Sequence, residues 1–77
     1  MTLLDANLKP GQTVEILKIA GEDSLRERLH EMGLSAGMEV TVLGRAPFGG
    51  PLLIRFKTSF LALRSEEAAC AQITLKS

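Results

Sequence analysis

His30 is the only histidine in the 77 residues and Cys70 the only cysteine, so few side chains are available as soft ligands or nucleophiles. On a helix Glu27 lies one turn before His30 and Glu31 follows it, which lets two carboxylates and an imidazole offer a weak, exposed site for a divalent metal. Glu27, His30 and Glu31 are the metal candidates, with iron or zinc as the ion and with further ligands drawn from a second copy of the chain. The same residues also fit a solvated helix face held by i, i+3 pairs. One histidine and one cysteine build neither a structural zinc site nor an intramolecular disulfide. Cys70, set among alanines, suits a small buried position, and Met32 and Met38 suit packing. The sequence lacks a G-x-x-x-x-G-K-[ST] phosphate loop, a G-x-G-x-x-G turn and a G-x-S-x-G nucleophile elbow. No catalytic residue is assigned, and no cofactor is required.

The elements that hold these residues follow from capping and periodicity. Ser24 and Glu27 have the spacing of a capping box, and Leu25, Leu29 and Met32 fall at i, i+4 and i+7, which predicts a short helix over about 24–32 lying on an apolar support. Gly33 is placed to end it in the left-handed conformation. Residues 8–17 and 34–43 repeat at an offset of 26, with leucine, glycine, valine and a final leucine coinciding. Each copy reads as a glycine turn entering a strand. Val14 and Ile16 then oppose Leu17 and Ile19, which calls for a bulge or for cover by the helix. The stretch from Ala46 to Pro51 is a loop by its prolines and glycines. Beyond it Leu52, Ile54 and Phe56 alternate as one strand face, Thr58-Ser59 turns, and Phe60 to Arg64 returns. Ser65, Glu66 and Glu67 start a helical turn over about 66–71, and Ile73 and Leu75 alternate in a last strand. About five short strands with one inserted helix predict a mainly β, partly closed antiparallel barrel formed by one domain, 1–77.

Bulk properties bound the function. A chain of this length suits a single domain of modest stability, and its composition is that of an ordinary globular protein. No apolar run approaches the roughly 18 residues that cross a bilayer, and Met-Thr-Leu-Leu-Asp lacks the pattern of a signal peptide, so a cytoplasmic location without membrane insertion is expected. Nine bases against nine acids give no net charge, which argues against nucleic acid; three phenylalanines as the only aromatics argue against an RNA-binding barrel. The charge is uneven. Residues 1–39 hold four bases and seven acids, residues 40–77 five bases and two acids, and from Val40 to Ser65 there are Arg45, Arg55, Lys57 and Arg64 and no acid. Such a segment is either a solvated barrel face or a patch for an acidic protein surface.

Taken together, Leu8-Lys9-Pro10-Gly11, the run from Arg28 to Leu34 with Gly37, the loop Ala46-Pro47-Phe48-Gly49-Gly50-Pro51, and Leu61-Ala62-Leu63-Arg64 before Glu67-Ala68 resemble the FeoA family of small cytosolic iron-transport proteins. The resemblance spans about the whole chain. It departs from the family pattern at Ala36, at Gly50 where an acid is common, and at Thr58-Ser59. It implies an SH3-like barrel and a non-enzymatic accessory of FeoB, the membrane ferrous iron transporter with a cytosolic GTPase domain. The expected docking surface runs from the helix through its following turn, with Arg26, Arg28, His30, Gly33, Leu34 and Gly37, bordered by the loop with Pro47 and Phe48. Phe48 has no evident strand role; it either faces a partner or folds back over a barrel end. Phe48→Ala and charge reversal at Arg28 are expected to weaken binding and leave the fold cooperative. The alternative of a different class is a transition-metal-binding iron carrier or sensor whose site is shared in a homo-oligomer.

Overall fold

Residues 8–17 and 34–43, the two copies of the repeat, form the centre of the sheet. In the computed structural model, which describes residues 1–4 and 7–76, β1 (Thr13–Ile19) and β2 (Glu39–Arg45) run antiparallel, with Thr13 opposite Thr41, Val14 opposite Val40 and Glu15 opposite Glu39. Asp5, part of the N-terminal reading, and Ser77, at the domain's end, lie outside the described residues. The pairing is reciprocal across the offset of 26. Gly11 N donates to Val42 O and Gly37 N to Ile16 O, both at 2.7 Å; Val42 N donates to Gln12 O and Ile16 N to Met38 O, both at 2.8 Å. Even the turn caps correspond, with Lys9 N on Gln12 Oε1 at 2.7 Å and Ser35 N on Met38 Sδ at 3.2 Å. Gly11 and Gly37 hold φ of 92° and 91°, the left-handed geometry that glycine adopts without strain. The repeat is therefore a local two-fold, a relation between copies that the one-dimensional pattern left open.

Each copy also contains a bulge. The register slips between Ile16 and Lys18 against β5 (Ala71–Leu75), and between Val42 and Gly44 against β3 (Leu52–Phe56). The extra residue turns Leu17 outward and returns Ile19 to the face of Val14 and Ile16, which resolves the conflict of faces in the first strand. The equivalent residue in the second copy, Leu43, is also exposed.

The strand order is β4-β3-β2-β1-β5, with β4 (Ser59–Leu63) at one end. Its ends do not pair with each other, as in the partly closed barrel expected. Residues 1–3 cover the β5 edge: Thr2 bridges Gln72, Leu3 N donates to Ala71 O at 3.1 Å, and Ile73 N donates to Met1 O at 2.8 Å. The β3–β4 turn differs from expectation by one residue. Phe56 pairs Ser59, so Lys57 and Thr58 make the turn, with Lys57 at φ 54°.

Helix α1 (Asp23–Glu31) lies between β1 and β2 and begins one residue earlier than its sequence signal. Glu22 is the N-cap, in extended conformation and without a side-chain cap bond, so Ser24 sits inside the first turn and the Ser24/Glu27 capping box does not form. The C-terminus follows the sequence: Leu34 N donates to Leu29 O and Gly33 N to His30 O, both at 3.0 Å, the two bonds of a Schellman motif. Leu29 is fully buried, and Leu25 and Met32 pack at the margin of the core. Helix α2 (Ser65–Ala68) starts at N-cap Arg64 and is shorter than the expected turn over 66–71, because Ala71 already pairs with Ile19 in β5. The core joins the inner faces of all five strands to Leu3, Leu29, Leu34, Ala68 and Cys70.

Candidate functional site

Helix α1 gives its exposed side to the expected surface. Arg26, Glu27 and His30 are exposed, and with Ile19 and Asp23 they ring a shallow depression of about 290 Å³. Arg26 pairs with Asp23 one turn back. The rim is thus mixed in charge, and its remaining wall, Ile19, has no donor atom. Among the described residues no three His, Cys, Asp or Glu side chains form a group able to hold a metal ion. Glu27, His30 and Glu31 are therefore not a preformed site: on one helix they fan across about 100° of its surface, and no carboxylate or imidazole from another element closes the set.

Arg28, exposed on the same helix, also meets a second element. Its Nη1 lies 3.5 Å from Glu67 Oε2. Glu67 is 5% exposed, and its other oxygen accepts the Arg64 N–H at 2.8 Å, the half of a capping box that starts α2. The buried carboxylate is thus held by a peptide N–H and a guanidinium, which is what makes its burial tolerable. Charge reversal at Arg28, expected to leave the fold cooperative, would set a second carboxylate against the first.

Of three further expected residues, Gly33 and Gly37 are exposed and Leu34 lies beneath them. Leu34 is 1% exposed and belongs to the core. Gly33 supplies the left-handed step at φ 99° that turns Leu34 inward, and Gly37 makes the turn bonded to Ile16. The loop residues behave otherwise. Ala46 N donates to Pro51 O at 3.0 Å and Gly50 N to Pro47 O at 3.2 Å, which clamps a tight loop with Pro47 and Phe48 at its tip. Phe48 holds φ 60° and is fully exposed, 105% of its reference area, so it does not fold back over the barrel. Gly50 fits the space left to it: a Cβ there would stand 2.7 Å from the Ala46 Cβ.

Helix α2 links the two parts of this surface. Arg45 Nη2 donates to Ser65 Oγ at 3.0 Å at the loop side, and Glu67 meets Arg28 at the α1 side. The loop and α1 are therefore joined through α2, whose place between them was not evident in the sequence. Cys70, behind α2, is buried and donates its thiol to Glu66 O at 3.3 Å; burial, and then the Glu67 charge, raise its pKa. Sequence reasoning also passed over an apolar area on the outer sheet face, where Leu43, Leu53 and Phe60 are exposed and, with Ile54, Leu61 and Ala62, line a hollow of about 300 Å³. Two adjacent leucines at the start of an alternating strand were its signal, since one of them must point outward.

A five-stranded antiparallel sheet with two short helices, and among the described residues no helix long and apolar enough to cross a membrane, defines a small SH3-like module. The family model of the FeoA domain matches residues 1–75, and the chain belongs to the FeoA family. It is 32% identical over 70 residues, 91% of its length, to the Fe(2+) transport protein A/Fe(2+) transporter FeoB fusion protein of Porphyromonas gingivalis, of which it spans 8%. The FeoA-like protein of Clostridium acetobutylicum superposes with a TM-score of 0.85 at 27% identity, covering 97% of this chain and 85% of that one. The FeoA of Stenotrophomonas maltophilia, described as a prokaryotic SH3 domain protein and solved with zinc, gives 0.77 at 28% identity, covering 96% and 89%.

Proposed function

We propose that this chain is a single-domain, non-enzymatic accessory of ferrous iron uptake that docks in the cytoplasm on the GTPase-containing part of FeoB and modulates its assembly or activity. The observation that carries this reading is Phe48, a large apolar side chain in full solvent on a clamped loop, at a positive φ that a bulky residue adopts only at a cost. A side chain held outward against its own backbone preference suits an anchor for a pocket on another protein. The Porphyromonas gingivalis relative supports the choice of partner, because it joins the two transport proteins in one polypeptide. The proposed surface takes in Pro47 beside the anchor and, on α1 and its following turn, Arg26, Arg28, His30, Gly33 and Gly37, all exposed, with Leu34 beneath them. The test is a binding titration of the transporter's cytosolic domain against this protein, with and without guanine nucleotide. Phe48→Ala is expected to weaken binding about tenfold or more with an unchanged melting temperature, and Arg26→Glu to weaken it less. Undiminished binding by the double variant removes this surface from consideration.

A second reading, a transition-metal carrier or sensor, draws on the zinc complex of the Stenotrophomonas maltophilia relative and on Glu27 and His30 meeting at one depression. It requires ligands from a second copy. Calorimetric titration with ferrous iron or zinc separates the two: tight saturable binding lost in His30→Ala favours the metal protein.

A further inference from the structure

The two ends of the sheet are treated differently. Residues 1–3 cover the β5 edge, whereas β4 pairs only with β3. The two-residue turn at Lys57-Thr58 makes Phe56 and Ser59 a hydrogen-bonded pair, and alternation along the ladder then makes Arg55–Phe60 and Leu53–Ala62 the non-bonded pairs. Phe60 and Ala62 consequently turn their peptide N–H and C=O groups away from β3, toward the open edge. Their side chains lie on the outer face beside Leu53 and Leu43, so the apolar area and the unpaired backbone groups belong to the same strand. Phe60 is 68% exposed.

The charges around this edge have one sign. Lys57 stands at one end of β4 and Arg64 at the other, and Arg55 is in register with Phe60. Arg55, Lys57 and Arg64 enter no ion pair among the described residues, and no acid occurs between Val40 and Ser65, Glu39 and Glu66 being the nearest in sequence. An exposed apolar edge of this kind invites pairing with another strand. A second copy of this chain is a poor occupant: antiparallel pairing of β4 with itself about Leu61 sets Lys57 of each copy opposite Ser65 of the other, between repelling Arg64 and attracting Glu66, so charge gives a self-paired edge no net support, whereas an acidic segment meets cations at both ends.

We propose that the open β4 edge, with Phe60 and Ala62 between the cations Lys57 and Arg64, receives an extended acidic and apolar segment of a protein partner as a sixth strand. Backbone bonds to Phe60 and Ala62 supply the pairing. Apolar residues of the segment cover Phe60, which shares its hollow with Leu53 and Leu43, and acids at its two ends meet Lys57 and Arg64. None of these contacts uses Phe48.

The test uses a pool of short synthetic peptides with acids at both ends and β-branched or aromatic residues between, titrated against the full ¹⁵N-labelled chain at low salt. The amides of Phe60 and Ala62 are expected to shift and to gain protection from hydrogen exchange, and binding is expected to fall as salt rises. Ala62→Pro removes an outward N–H at an edge position where proline is tolerated, and it is expected to weaken binding about tenfold while the rest of the spectrum stays native. Lys57→Glu with Arg64→Glu is expected to lose the acidic peptides and gain a matching lysine-ended pool, a readout that does not rely on the proline variant. Three results overturn the proposal: no peptide of either pool protects Phe60 and Ala62, Ala62→Pro binds as well as the parent, or sedimentation finds a dimer that Ala62→Pro dissociates. Attachment to anionic vesicles that Ala62→Pro leaves unchanged would also reject it, since a lipid surface needs the cations and apolar groups and not the peptide edge.

Discussion

Arg28 and Glu67 show how a charged residue on a small protein can look like contact surface and be part of the frame. The guanidinium is more than half exposed, yet it faces a carboxylate that is almost wholly covered. Because the arginine is solvated, its loss is modest: Arg28→Gln is expected to cost about 1 kcal/mol. Arg28→Glu is expected to cost more, about 2 kcal/mol, since it adds repulsion beside a carboxylate that cannot move into water. Thermal unfolding of the two variants checks the order, and equal melting temperatures would contradict it. Cys70 leads to a pH dependence. Its pKa is raised in the fold by burial and then by Glu67. Below the ordinary thiol pKa of about 8.5 both states keep the proton and the residue is silent. Above it the unfolded chain releases its proton first, so stability falls as the pH rises toward the folded value. Urea midpoints at neutral and alkaline pH are expected to diverge more for the parent than for Cys70→Ala.

At the scale of elements, the α1 terminus is a place where local sequence and tertiary packing agree. Gly33 has φ 99°, and a Cβ there would stand 3.3 Å from the Phe56 ring. Gly33→Ala is expected to cost about 1–2 kcal/mol from the left-handed backbone alone, and more if Phe56 does not yield. Gly37 has nearly the same φ with open space around it, so Gly37→Ala isolates the backbone part; chemical denaturation of both gives the difference. This helix stop, the five strands, the conflict of faces in the first strand and the 46–51 loop were all legible in the sequence, because glycine, proline and alternation act locally. The helix starts were not. Ser24 and Glu27 have capping spacing, but the approach from Gly21 through extended Glu22 sets the N-cap two residues ahead of Ser24. At α2 the cap bond comes from Glu67 to the Arg64 amide, one residue ahead of the serine that signalled it. Of the candidate surface, the loop with Phe48 at its tip was legible, but not which way the ring turns. The burial of Leu34 and the Arg28–Glu67 contact were not, since both depend on where a distant segment lands.

At the scale of the molecule, the sheet is a two-fold core with different additions at its two margins. The reciprocal bonds of Gly11 and Gly37, and of Ile16 and Val42, make β1 and β2 equivalent, while residues 1–3 flank one side and β4 the other. Leu17 and Leu43 occupy matching bulges, both exposed, but only Leu43 lies among Leu53, Phe60 and Ala62. The fold thus contains its own control experiment. Glutamate at either bulge makes the same demand on the backbone, so Leu17→Glu and Leu43→Glu are expected to unfold at nearly the same denaturant concentration. Only the second is expected to impair capture of an acidic strand, and the gap between these twins reads recognition with folding already subtracted.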